Sequence, residues 1–256
     1  MRLLFICLGI YFIYASTILQ AAMTIKPGVL MVGVVPESPP LLYMDNDGYA
    51  GLEADYARLI ASELKLKLEF IKLTKIELIE AIENNKVDLI MNGLKVTPSL
   101  SHRVHFLPTY LHSSQMAIIL YDNIIRLSGR GQLYRADKNI GVIRNTIGES
   151  LVLEEIADGT IKKYSNVDEA FNALRNSEIH YFIHDAPTSW QLARDLTAKD
   201  LQSLYKPLSK DELAFAVSKK QPLLIQKVER LFRNWKTQGI IEMMNRRWIK
   251  AKMEVN

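Results

Sequence analysis

The chain has 256 residues, 48% hydrophobic and 23% charged, which is enough to bury a sizeable core and sits far from disordered, collagen-like or coiled-coil compositions. Its formal charge of +4 comes from 32 Lys and Arg against 28 Asp and Glu, scattered along the chain without an aromatic-interleaved basic stripe, so a nucleic-acid partner is not expected.

The first 22 residues read differently from the rest. Arg2 is followed by the apolar run "LLFICLGIYFIYASTIL", and "LQAA" then supplies small residues, the pattern of an export signal cleaved near Ala21-Ala22. An uncleaved anchor helix is the alternative, since the run is at the lower edge of a membrane span. The single cysteine, Cys7, lies inside this segment, so no disulfide or thiolate metal site is expected downstream.

After the signal, "VLMVGVV" (Val29 to Val35) is β-rich and is closed by "PESPP", whose prolines point to a loop. "GLEADYARLIASELKL" spaces Leu52, Tyr56, Leu59, Ile60 and Leu64 for one helix face. "KLEFIKL" resumes strand character, "IELIEAIENNK" predicts a helix ending at Asn84-Asn85, and "VDLIMNG" a buried strand. A second series follows: the strand "NIGVIRN", the helices "IGESLVLEEIA" and "VDEAFNALRNS", and the strand "IHYFIHDAP". Two β-α-β-α-β series predict two α/β lobes, each a sheet flanked by helices. The extended apolar segments "QMAIILY" (Gln115 to Tyr121) and "ELAFAVSK" (Glu212 to Lys219) are the expected crossings between them. The expected division is a signal over 1–22, one lobe from 23–114 plus 216–256, and the other from 115–215, with hinge strands near 115–121 and 212–219. The tail "LLIQKVERLFRNWKTQGIIEMMNRRWI" reads as two amphipathic helices split at Gly239 and capping one lobe.

In order and spacing, "PESPPLLYMDNDGYAGLEADYARLIASEL", "NNKVDLIMNGLKVTPSLSHRVHFLPTY", "IGVIRNTIGES", "IHYFIHDAP", "LAFAVSK" and "QGIIEMMNRRW" resemble the family 3 extracytoplasmic solute-binding proteins of the polar-amino-acid ABC transporter type, from about Gly28 to Trp248. The resemblance implies the type II periplasmic-binding-protein fold. It implies a periplasmic, monomeric protein that closes on a small polar ligand, an amino acid or related organic anion, and delivers it to an inner-membrane permease. Family members that bind α-amino acids usually have Ser or Thr where this chain has Lys95, a Thr at Thr97, and a carboxylate-clamping arginine where it has Leu100. Arg103, three residues on, resembles a position outside the cleft. Lys95 is therefore the expected contact for an anionic group, with a solvent-directed lysine as the alternative.

Thr146 occupies the family's helix-opening turn, where backbone N–H groups attract anions, and Arg144 just before it is expected either to add positive charge or to be only a surface residue. Asp185 matches the aspartate that receives a ligand amino group, although it could serve only as a helix N-cap before Pro187. Gly93 and Ser38 complete the expected lining; Ser38 stands where an aromatic is common, so Phe70 or Tyr43 is the expected apolar wall. His102, His105, His112, His180 and His184 form no closed ligand set, so neither a metal nor a cofactor is expected. A dehydratase of cyclic acids, with Glu149 and Asp185 as acid and base, is the enzymatic alternative, and a ligand-sensing module a third.

Overall fold

The computed structural model describes residues 23–129, 131–156, 158–192, 199–204 and 206–249; the expected signal and Cys7 lie outside them. In chain order the elements are β1 (Val29–Val34), β2 (Glu37–Ser38), β3 (Leu42–Asp45), β4 (Gly48–Ala50), α1 (Leu52–Glu63), β5 (Lys67–Lys72), α2 (Glu77–Glu83), β6 (Leu89–Met91), α3 (Pro98–Arg103), β7 (His105–Phe106) and β8 (Leu111–Ser113). They continue as β9 (Gln115–Leu120), α4 (Ile124–Leu127), β10 (Asn139–Ile143), α5 (Ile147–Glu155), β11 (Thr160–Tyr164), α6 (Val167–Arg175), β12 (Tyr181–Asp185), α7 (Ala186–Leu192), β13 (Leu201–Ser203), β14 (Asp211–Leu213), β15 (Ala216–Val217), α8 (Pro222–Thr237) and α9 (Ile240–Trp248).

Two five-stranded sheets carry the fold, in the orders β5-β1-β6-β15-β7 and β11-β10-β12-β9-β13. Each has a parallel triplet, β5-β1-β6 and β11-β10-β12, extended by antiparallel strands. Helices cover both faces of each sheet, which is why the parallel strands read as continuous apolar runs. In β1, Leu30, Val32 and Val34 pack with α1 and α8 on one face, while Ile90 of β6 and Ala216 of β15 pack with Leu78 and Ile82 of α2 on the other. The second sheet repeats this plan: Ile140, Val142 and Ile183 meet Leu151 and Val152 of α5, and Ile143 and Phe182 meet Phe171 and Leu174 of α6.

The chain passes between the sheets twice, at β8 and β14, which pair antiparallel with each other (Ser113 opposite Asp211, Leu111 opposite Leu213). "ELAFAVSK" thus divides into β14, part of this ladder, and β15, an interior strand of the first sheet; Gln115–Leu120 runs inside the second sheet as β9. "PESPP" also differs from a plain loop. Glu37 and Ser38 pair with Tyr43 and Leu42 in a small antiparallel sheet, permitted because Pro36 precedes the strand and Pro39 and Pro40 follow it, so none removes a ladder donor from it.

The tail helices cover the first lobe. Phe232 and Trp235 of α8 join Tyr56, Tyr110 and Phe215 in one aromatic cluster, with ring centroids 4.3 Å apart for Tyr110 and Phe215. Gly239, in the left-handed region at φ 71°, turns the chain into α9, whose Trp248 indole donates to Asp55 at 2.9 Å. Asn245 of α9 donates to the Tyr110 carbonyl at 2.7 Å, so the tail also braces the approach to the crossing.

Two residues at the start of α1 set the first wall of the interlobe space. Gly51 has φ 114°, and a Cβ there would lie 2.4 Å from the Leu41 carbonyl oxygen, because the carbonyls of Pro40 and Leu41 accept the first amides of α1. Glu53 is 0% exposed; its Oε1 accepts from the Gly93 amide (2.7 Å) and the Tyr110 hydroxyl (2.5 Å), while Oε2 has no partner among the described residues. Burial pushes this carboxyl up to about 7 despite the opposing hydrogen bonds from Tyr110 and Gly93. Gly51→Ala is expected to lower stability by more than about 2 kcal/mol in denaturant titration, through both the positive φ and the backbone collision. The Glu53 carboxyl binds its proton more tightly folded than unfolded, so its contribution is full below about pH 4.5 and is lost as pH rises through about 7. Wild type should lose up to about 3 kcal/mol across that window, and Glu53→Gln should flatten the profile, as followed by chemical denaturation at several pH values.

Candidate functional site: the interlobe cleft

A cleft of about 1160 Å³ opens between the sheets, where the carboxyl ends of β1, β6, β10 and β12 meet. Its floor is the crossing ladder, with Ser113 and Leu213, and the adjoining Gln115. Of the residues singled out from sequence, Ser38, Gly93, Lys95, Thr97, Thr146 and Asp185 line it, as does Leu100. Phe70, Tyr43, Arg144 and Arg103 do not. Phe70 sits on an edge strand against Tyr49 (4.5 Å between centroids), and Tyr43 meets the edge of Trp248. Arg144 is exposed, and Arg103 forks onto Glu83 through two bonds of 2.6 and 2.8 Å.

On the first wall, Gly93 takes a left-handed conformation (φ 59°), and its amide is held from behind by Glu53. Two residues on, Lys95 bridges to Leu213 in the antiparallel sense, with hydrogen bonds from Val96 to Glu212 and from Ala214 to Leu94. That pairing lays Lys95 along β14. Its Nζ is 2.8 Å from Oδ1 of Asp211, whose side chain is 0% exposed, while Lys95 itself is 34% exposed. Oδ2 of Asp211 accepts from Ser209 (2.8 Å) and Gln115 (3.3 Å). Lys95 therefore lines the cleft with its charge already matched by a buried carboxylate. Thr97 follows as the N-cap of α3, its Oγ1 accepting from the Leu100 amide at 3.2 Å ahead of Pro98 at the first helical position.

On the second wall, "NTIGE" forms a capping box. Thr146 Oγ1 accepts from the Glu149 amide (3.3 Å) and donates to the Ile143 carbonyl (2.7 Å), while Glu149 Oε2 accepts from the Asn145 amide (2.5 Å). The other Glu149 oxygen pairs with Lys163 at 2.8 Å. Partial burial raises the Glu149 carboxyl, but Lys163 and the Asn145 amide outweigh it and hold the group below its usual range. The Glu149 carboxylate thus lies on the amide just before the N-cap of α5. Gly148 lets this turn press onto β12 and β9: a Cβ there would be 2.9 Å from the Ile183 carbonyl and 3.0 Å from Gln115 Oε1.

Asp185, at the end of β12, is both cleft lining and N-cap. Its Oδ1 accepts from the Thr188 amide (2.9 Å), and its Oδ2 faces the Thr188 hydroxyl (3.0 Å) and His184 Nδ1 (2.5 Å). Nδ1 also lies 2.8 Å from the Asp185 amide nitrogen, so a protonated ring donates to the carboxylate and a bare one accepts from the amide. Burial works against ionisation of Asp185, yet His184 and the Thr188 donors prevail and lower its pKa, leaving a carboxylate in the cleft. The Thr188 hydroxyl is also 3.0 Å from the Pro39 carbonyl on the opposite wall, giving one proton two acceptors. Sequence reasoning missed Asp211, Ser209, Gln115 and Thr188 as parts of this site; only pairing across the crossing brings the first three together.

The family model of "Bacterial extracellular solute-binding proteins, family 3" matches residues 30–251. "Amino-acid-binding protein AabA" of Dichelobacter nodosus is 26% identical over 219 residues, covering 83% of this chain and 85% of that protein. "Membrane-bound lytic murein transglycosylase F" of Aliivibrio fischeri is 26% identical over 155 residues, 56% of this chain; the chain spans only 30% of that longer protein. Among solved structures, an ancestral amino acid-binding protein described as a precursor of cyclohexadienyl dehydratase superposes with a TM-score of 0.78 at 25% identity, over 87% of this chain and 95% of that one. Two sheets of the same order, joined by a two-strand crossing beside a polar cleft, have the architecture of type II periplasmic binding proteins, and the chain belongs to the bacterial extracellular solute-binding proteins, family 3.

Proposed function

We propose that this protein captures a small amine-bearing polar solute, the chemical class that includes amino acids, between its lobes and presents it to an ABC-type permease in the membrane. The observation that carries this reading is Asp185: a carboxylate kept ionised inside the cleft, on the residue pair that reaches the opposite wall through Thr188 and Pro39. An ammonium or guanidinium group bonded to Asp185 competes for Oδ2 and leaves the Thr188 proton to Pro39, so ligand capture favours the closed arrangement. The amino-acid-binding relative from Dichelobacter nodosus supports this ligand class. The protein acts outside the cytoplasmic membrane after removal of the segment before about Ala22, and works as a monomer.

Catalysis is not part of this proposal. Glu149, the expected partner of Asp185 in acid–base chemistry, does not line the cleft, and its two oxygens are engaged by Lys163 and the Asn145 amide.

A thermal-shift panel tests the reading. Amine-bearing solutes, both amino acids and simple amines, are expected to raise the melting temperature, a ligand at 100 times its Kd adding about 2.7 kcal/mol. Sugars and amine-free dicarboxylates should leave it unchanged, and stabilisation by those alone would sink the proposal. Asp185→Asn still accepts the Thr188 amide, so it should fold while losing about tenfold to a hundredfold in amine affinity by calorimetry. Thr188→Val should raise the ligand dissociation rate, by up to about tenfold, in stopped-flow measurements, since it removes the contact with Pro39.

A further inference from the structure

Among the described residues, five carboxylates line the cleft (Glu37, Glu154, Glu155, Asp168 and Asp185) against three ammonium groups (Lys75, Lys95 and Lys210) and no arginine. The cations are committed elsewhere. Lys95 pairs with Asp211 at 2.8 Å and Lys75 with Glu37 at 3.5 Å, while Lys210 is not free either. Three of the carboxylates, Glu154 and Glu155 at the end of α5 and Asp168 in the first turn of α6, are exposed at the second wall and carry no ion pair among the described residues. Beside the start of α5, the other place where an anion would be received, the Glu149 carboxylate sits on the Asn145 amide and adds negative charge there. On the floor, Ser113 is 2% exposed, and its hydroxyl has no hydrogen-bond partner among the described residues, leaving an acceptor for a ligand N–H.

We infer that the cleft takes a small organic cation without a carboxylate, an amine or guanidine in place of the corresponding amino acid. This rests on the proposed capture of an amine-bearing solute and narrows it. A ligand carboxylate at Lys95 would have to share an ammonium already paired at 2.8 Å with Asp211, and drawing Lys95 away would strip a carboxylate with no exposure of its counter-charge. At the second wall, Glu154, Glu155 and Asp168 would repel the carboxylate and attract the cationic end. The amino acid and its decarboxylated counterpart share that cationic end, so the difference between them isolates the carboxylate.

Isothermal titration of the mature chain with two matched pairs, arginine against agmatine and lysine against cadaverine, tests the inference. In at least one pair the decarboxylated amine should bind at least tenfold more tightly. Equal or tighter binding of both parent amino acids overturns the inference while leaving the capture of amine-bearing solutes intact. Binding of none of the four overturns the inference, and stabilisation by no amine at all in the thermal-shift panel overturns the broader reading as well. Asp211→Asn releases Lys95, and Leu100→Arg adds a cation to the same wall without touching the buried pair. Each should cut the amine-over-amino-acid ratio at least tenfold, and an unchanged ratio in both folded variants also overturns the inference. Leu100→Arg keeps the test valid if loss of the buried carboxylate impairs folding.

Discussion

A carboxylate with no exposure, Asp211, sits at the crossing between the two sheets, and much of the cleft is arranged around satisfying it. An ion removed from water is tolerated only where charge and hydrogen bonds replace hydration. Here Lys95 reaches across from the first wall, Gln115 comes from the first residue of β9, and Ser209 closes the turn before β14. The same three contacts fix where the first wall ends, where the second sheet begins and how β14 enters its ladder. Hinge position and cleft electrostatics are therefore consequences of one buried charge.

Other buried acids work as tethers in the same manner. Asp88 accepts from the amides of Ile25 and Met31 and from Gln221, joining the beginning of β1, the residues before β6 and the start of α8. Glu53 holds the Gly93 amide from beneath the cleft and shares Tyr110 with the aromatic cluster under the tail helices. Backbone amides at strand ends have no ladder partner, and an interior carboxylate satisfies them while defining the direction of the loop that follows. One oxygen of Glu53 has no partner among the described residues and burial raises the group toward neutrality, so the loop behind Lys95 depends on pH as well as on packing.

The walls of the cleft differ in electrostatic character. The first has Lys95 and Lys75 matched by Asp211 and Glu37, and the second ends in carboxylates without such partners among the described residues. Thr188 is a direct hydrogen-bonding link between them, its hydroxyl placed between the Asp185 carboxylate and the Pro39 carbonyl. A two-lobe binding protein works by making the closed state depend on what lies in the cleft. A single proton with one acceptor on each wall is a chemically simple way to create that dependence.

The sequence by itself determined the alternation of strands and helices, because sheets covered on both faces write continuous apolar runs and their helices write a 3.6-residue period. Through the family resemblance it also marked the cleft edges at Ser38, Gly93, Lys95, Thr97, Thr146 and Asp185, which lie in caps and turns at strand ends. Phe70 and Arg144 were expected in the lining and lie outside it in the structure: strand register turns Phe70 onto Tyr49, and the turn after β10 leaves Arg144 exposed. The partner of Lys95 was invisible in the sequence. Asp211 stands 116 positions further along the chain, and only the pairing of β8 with β14 and of Lys95 with Leu213 brings the two together. Local propensity fixes where a side chain begins, but the charge it meets is decided by long-range strand pairing, and here that pairing turned an apparent anion receptor into half of a buried ion pair.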